Sequence, residues 1–259
     1  MERCVDISVV IPAFDEEHRI ERSLNAIVDA LEQRRLRAEI IVVDDGSRDG
    51  TASVVRQISQ ENPTIRLLSL GVNRGKGSAL RAGVAITCGA RVLLTDADLS
   101  TPIADMDRLW RAMDDGNDIA IGSRAVAASE VHRAQSRLRV FAGRAGNRWI
   151  QLLAASGYSD TQCGFKLLDG NVARSLFAMC NEDRFAIDVE MIALARQLEF
   201  KVIEIGVHWE HRDGSKVRAI DYLDVFIAVV RIAFRSAKRS PFPWGEIVRQ
   251  RLVALMRKS

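Results

Sequence analysis

Five short runs of β-branched and aliphatic residues recur along the first half of the chain, and helical patterns separate them. The runs are DISVVIPAF (6–14), AEIIVVDDG (38–46), IRLLSL (65–70), RVLLTDAD (91–98) and DIAIGSR (118–124). Between the first two lies EEHRIERSLNAIVDALEQ, which sets Ile20, Leu24, Ile27 and Leu31 on one helical face. Strands alternating with helices form βαβ units, so the chain is expected to be an α/β protein with a mainly parallel sheet. Ligands of such sheets sit beyond the carboxyl ends of the strands. Three of the runs end there in charge, at Asp44 and Asp45, at Asp96 and Asp98, and at Arg124. The fold gathers these distant positions along one edge.

Beyond Arg124 the pattern loosens. Residues 125–136 read as a loop, about 137–155 as a helix, and SDTQCGFK opens further α/β material that ends near Trp209. The tail carries two helical segments, around 221–236 and 244–257, split by SPFPW, whose prolines end a helix. This divides the chain into an α/β body, 1–220, and a C-terminal tail, 221–259. The tail has eight Lys or Arg against three Asp or Glu, a balance of +5 where the whole chain has +3. A basic tail on a near-neutral body calls for an anionic partner, a membrane surface rather than nucleic acid. The alternative is a helical pair packed on the body or on a second copy in an oligomer.

Composition excludes several classes. At 259 residues, 47% hydrophobic and 27% charged, the chain can bury a substantial core. No run approaches the ~18 apolar residues of a membrane span, and VFIAVVRIAF (225–234) is broken by Arg231. The N-terminus enters a strand at once and reads as lacking a signal peptide. Four scattered cysteines with no CxxC pair argue against a disulfide framework or zinc knuckle and fit a reducing, cytoplasmic compartment.

Four constellations carry the chemistry. In Asp96-Ala97-Asp98 two carboxylates one residue apart raise each other's pKa unless a cation relieves them. Oxygen ligands of this kind suit Mg²⁺ or Mn²⁺ bound together with phosphates; an ordinary strand end, with Asp98 capping a helix near Pro102, is the competing reading. In VVDDGSRDGT, Asp49 to Thr51 can cap the next helix, while Asp44 and Asp45 can accept hydrogen bonds from a base or ribose. In NRGKGSALRAG two glycines flank Lys76 at a helix start, a setting for phosphate, although the GxxxxGK[ST] pattern is incomplete. No GxGxxG follows the first strand, which disfavours a dinucleotide-binding dehydrogenase. Arg124, Arg137, Arg139 and Arg144 could clamp an anionic acceptor. His208 and His211 stand i, i+3 apart without an evident third metal ligand, and Arg212 and Lys216 beside them could close over a diphosphate.

Together VVIPAFDEE, VVDDGSRDGT, NRGKGSALRAG, DAD, GSR, DTQCGFKL, FAIDVE and GSK resemble the family 2 glycosyltransferases of GT-A fold. The polyprenyl-phosphate sugar synthases are the nearest branch, and the resemblance spans about Ile7 to Phe234. It implies that Pro12, Phe14 and Glu16 pack on the nucleotide of a nucleotide sugar. It implies that Val43 and Asp45 contact the base, and that Asp96, Ala97 and Asp98 form the metal-binding DxD element. Arg124 then lies near the donor and acceptor phosphates, with Arg212 and Lys216 over the diphosphate. Mannose-transferring members carry a glutamine two residues after the second aspartate; Ser100 stands here.

The resemblance implies an inverting transfer of a hexose from a nucleotide sugar, UDP-glucose foremost, to a polyprenyl or dolichyl phosphate. A phosphate acceptor is mostly dianionic at pH 7 and needs no base, only cations to hold it. A hydroxyl acceptor would need one, and Asp188 or Glu190 would be the candidates. The same fold acting on a soluble acceptor such as a phosphoglycerate or a secondary metabolite, or as a non-catalytic nucleotide-sugar binder, is the alternative.

Overall fold

The structure is a computed structural model that describes residues 5–126, 129–132, 157–210 and 219–239. Strands β1 (Val5–Ala13), β2 (Ala38–Asp44), β3 (Ile65–Ser69), β4 (Gly89–Leu94) and β5 (Ile119–Ser123) coincide with the five apolar runs. Helices α1 (Ile20–Gln33), α2 (Thr51–Glu61), α3 (Lys76–Ala85) and α4 (Met106–Asp114) fill the gaps between them. The later elements are β6 (Glu130–His132), β7 (Lys166–Asp169), α5 (Gly170–Met179), α6 (Ile187–Gln197), β8 (Val202–Gly206), β9 (His208–Glu210) and α7 (Ala219–Arg239). One sheet of seven strands has the order β3-β2-β1-β4-β7-β5-β8, and β6 pairs with β9 in a separate ribbon.

Successive side chains of a strand point to opposite faces, and the core divides accordingly. Val10, Ile41, Val43, Val92, Leu94, Ile119 and Ile121 face α3, α5, α6 and α7, whereas Val9, Ile11, Ile40, Val42, Leu93 and Ala120 face α1, α2 and α4. Ile20, Leu24, Ile27 and Leu31 of α1 are all buried, as their spacing requires. Asp169 caps α5 through its side chain, accepting from the amides of Asn171 and Val172.

The strand that periodicity does not announce is β7. It runs antiparallel to both β4 and β5 and lies between them. Its entry, Cys163 to Lys166, therefore reaches the same sheet edge as the carboxyl ends of β4 and β5. The cysteines also bring a correction. Cys163 and Cys180 are free and buried, but Cys88 is disulfide-bonded to a partner outside the described residues.

Helix α7 is apolar on two sides. Ala228, Val229, Ile232 and Ala233 join the core, while Leu223, Phe226, Ile227 and Phe234 are 54, 44, 51 and 50% exposed. No described helix is long and apolar enough to cross a membrane. The second tail segment, 244–257, lies outside the described residues.

Candidate active site

Two loops at the sheet edge are laced together by polar groups. The Asp15 amide donates to Ser47 Oγ at 3.0 Å, and Asp15 Oδ1 accepts from the Arg48 amide at 2.8 Å. The Glu16 amide donates to Thr51 Oγ1 at 2.7 Å, and the Glu16 carboxylate pairs with Arg19 at 2.6 Å. Pro12 sits opposite Val43 in the β1–β2 register, with half-buried Phe14 just beyond the strand. Val43 is fully buried and belongs to the core.

Asp44 and Asp45 are both 3% exposed. Asp44 accepts from the Ser47 amide at 3.0 Å and from Ser69 Oγ at 3.1 Å. Asp45 accepts the amides of Arg74 at 2.8 Å and Gly75 at 2.7 Å. Burial pushes the Asp45 carboxyl up from its ordinary pKa, and these two amides offset part of the rise. Amides expected to cradle a phosphate at the start of α3 are thus held by Asp45, and the Ser78 amide is held by the Asp183 carbonyl at 3.0 Å. The flanking glycines have a packing reason. A Cβ on Gly75 would meet the Asp183 carbonyl oxygen at 2.5 Å, and one on Gly77 would meet that of Glu182 at 2.3 Å.

Lys76 turns its ammonium to the end of β4. Its Nζ lies 2.8 Å from Asp96 Oδ1 and 3.6 Å from Asp188 Oδ2. Asp188 Oδ1 is in turn 2.5 Å from Nζ of the fully buried Lys166, which also donates to the Cys163 carbonyl. Burial raises the Asp96 pKa, but the charge and hydrogen bond of Lys76, with Lys166 and Arg124 beyond, outweigh it and hold the carboxyl below its usual range. Asp96 is nevertheless 43% exposed at its side chain. A Cβ on Gly164 would meet its Oδ2 at 2.1 Å, so only glycine leaves that oxygen room. Asp98 accepts from the Ser100 amide at 2.9 Å, a local turn. The helix beyond Pro102 has no side-chain cap, so Asp98 does not cap it. Ala97 is buried, and its carbonyl accepts from Ser23 Oγ at 2.7 Å.

Arg124, just beyond β5, gives Nε and Nη2 to Asp160 at 2.6 and 2.9 Å, and its guanidinium lies 5.7 Å from the centre of the Trp209 ring. Burial raises the Asp160 pKa, and Arg124 more than reverses this, leaving it lowered. Glu204 of β8 fixes Asp160 from behind, accepting the amides of Ser159 at 2.7 Å and Asp160 at 2.8 Å. Asp96, Ser100, Arg124, Gln162, Gly164 and Trp209 line one small pocket of about 40 Å³.

The sequence singled out Asp96, Lys76 and Arg124, and the structure brings them together. Arg137, Arg139, Arg144, Arg212 and Lys216 lie outside the described residues, as does His211. His208 pairs with Asp105, its Nδ1 2.8 Å from Oδ1. Sequence reasoning gave no role to Asp160, Gly164, Lys166 or Trp209. Lys166 did leave a signal: a lysine inside the apolar GFKLL must find a buried acid.

A model of "Glycosyl transferase family 2" matches residues 8–173. The chain belongs to this family and is a glycosyltransferase of GT-A fold. Its relatives are specific. It is 37% identical over 230 residues to a dolichyl-phosphate beta-glucosyltransferase of Drosophila melanogaster, covering 82% of this chain and 69% of that one. It is 35% identical to that of Dictyostelium discoideum, covering 88% and 74%. To that of Homo sapiens it is 34% identical, covering 82% and 69%. Among solved structures, mannosyl-3-phosphoglycerate synthase from Rubrobacter xylanophilus superposes with TM-score 0.66 at 20% identity, over 91% of this chain and 74% of that one. Glucosyl-3-phosphoglycerate synthase from Mycobacterium tuberculosis, in complex with Mn²⁺ and UDP-glucose, gives 0.64 at 18% identity, over 90% and 79%. These two likenesses are of fold.

Proposed function

We propose that the protein transfers glucose from UDP-glucose to a polyprenyl or dolichyl phosphate, with inversion, using Mg²⁺ or Mn²⁺, at the cytoplasmic surface of a membrane. The observation that carries the acceptor class is the state of the two candidate bases. Asp188 is engaged by Lys166 and Lys76, and Glu190 accepts the amides of Asn181 at 2.8 Å and Glu182 at 2.7 Å. A hydroxyl acceptor needs a base; a phosphate dianion does not. The names of the curated relatives support the same acceptor and sugar.

Asp96 and Asp98 fit a hard divalent ion: both offer carboxylate oxygens, and the absence of a side chain at Gly164 lets the Asp96 carboxylate take its position. Among the described residues no cluster of three or more His, Cys, Asp or Glu stands ready to hold a metal. Two protein carboxylates completed by phosphate and water oxygens is a common arrangement for magnesium. When bound, the ion neutralises charge that grows on the departing diphosphate. The protein's own groups do the rest. Arg124, stiffened by Asp160 and the Trp209 ring, holds anionic oxygens in the pocket and keeps Nη1 available for them among the described residues. The pocket walls orient the acceptor phosphate for in-line attack. The exposed stripe of Leu223, Phe226, Ile227 and Phe234, with Arg231 on the same helix, supports docking at an anionic membrane interface.

The test is transfer of labelled glucose from UDP-glucose to a polyprenyl phosphate in mixed micelles with Mn²⁺. Labelled lipid that disappears on chelation is expected. Transfer to 3-phosphoglycerate instead would favour the soluble acceptor, and no transfer from any UDP- or GDP-sugar would defeat the proposal.

A further inference from the structure

Asp96, Lys76, Asp188 and Lys166 form a row of alternating charge that runs inward from the pocket. Its inner end is fixed. Lys166 is fully buried, and it grips both Asp188 and the Cys163 carbonyl. Its outer end is not. Lys76 Nζ stands between two carboxylates, closer to Asp96 at 2.8 Å than to Asp188 at 3.6 Å. The main chain around Lys76 is pinned: Asp45 holds the amides of Arg74 and Gly75, and a Cβ on either neighbouring glycine would strike the Glu182–Asp183 main chain. Four flexible carbons still let the ammonium swing between its two acids.

We propose that Lys76 is a resident counter-ion, holding the place beside Asp96 until a divalent ion arrives with a nucleotide diphosphate. This rests on the metal-dependent transfer proposed above. Within the row two acids and two lysines balance; with Asp98 added the site carries one net negative charge, so a bare divalent ion still leaves excess positive charge next to an ammonium. The same ion together with a diphosphate brings its own negative charge, and Lys76 is then free to lean on Asp188 or on the diphosphate. Metal and nucleotide consequently bind as a pair, and metal alone binds poorly. The device keeps the site from filling with free metal in a state that cannot react.

The full-length chain is titrated with Mn²⁺ alone, followed by electron paramagnetic resonance of the free ion, and then again with saturating UDP. In the wild type, UDP tightens manganese binding strongly. Lys76→Met tightens binding of manganese alone by about tenfold or more, the scale expected for removing one like charge from a half-buried site. By linkage, the enhancement due to UDP shrinks by a similar factor. Lys76→Arg, which keeps the charge, keeps the enhancement. Lys76→Gln serves in place of the methionine variant if circular dichroism shows the latter unfolded. Manganese binding in a folded, neutral variant that is no tighter than in the wild type, or an undiminished UDP enhancement, overturns the inference and leaves the transferase reading standing. A wild type that takes up no manganese even with UDP overturns both.

Discussion

At the end of β2, Asp44 and Asp45 are 3% exposed, and their oxygens are taken by three main-chain amides and a serine hydroxyl. At the end of β4, Asp96 is only half-buried, and an ammonium on a flexible stem is the hydrogen-bond partner of its Oδ1. In the sequence the two sites look alike: an apolar run that surfaces into a pair of acids. Their difference lies in the partner. Amides fixed in a loop commit a carboxylate to holding the chain, whereas a lysine that can move away leaves its charge available to an incoming cation. Asp45 thus organises the segment that presents Lys76, and Lys76 conditions the site at Asp96.

Substitutions can break this contrast. The largest effect is expected for Asp98→Ala, a loss of about 10³-fold or more in kcat/KM, with an unchanged melting temperature because no buried partner is orphaned. Gly164→Ala comes next. Its methyl would overlap Asp96 Oδ2, and displacing that carboxylate by even an ångström should lower activity about 100-fold, measured at saturating Mn²⁺. Asp45→Ala acts on the other side of the comparison. Leaving two part-buried amides without their acceptor should cost about 1 kcal/mol, a fall in melting temperature of about 2–4 °C, with less loss of activity in the cold than Asp98→Ala shows. The smallest effect concerns acid. The Asp160 pKa is lowered in the folded protein by Arg124, so its contribution to stability is present above about pH 4 and is lost as pH falls through the folded value. Asp160→Asn should therefore flatten the acid limb of a stability–pH profile; an unaltered limb would remove the pair from the account.

The parallel part of the sheet was legible because β1, β2, β4 and β5 are buried on both faces and read as continuous β-branched runs. Their ends, at Asp45, Asp96 and Arg124, were legible for the same reason. β7 was not. It has four described residues, begins with a lysine, follows the polar DTQCG segment, and inserts antiparallel between strands distant in sequence. Neither period nor length marks such a strand. With it went the pairing of Lys166 to Asp188 and the demand for glycine at 164, both products of tertiary approach. Asp160 gave no local sign either, since an acid in a polar loop is ordinary until Arg124 meets it. The helix at 221–236 was legible, but its second apolar side was not separable from its first, because the core takes one stripe and leaves the other on the surface.

The central claim is that the acids of β4 hold a cation while those of β2 hold the chain. Anomalous diffraction at the manganese edge from crystals soaked with Mn²⁺ and UDP tests it directly. The account predicts one peak between Asp96, Asp98 and the diphosphate, with Asp44 and Asp45 still on their amides. A clear UDP with no peak beside Asp96, or a manganese ion on the β2 pair, would contradict it.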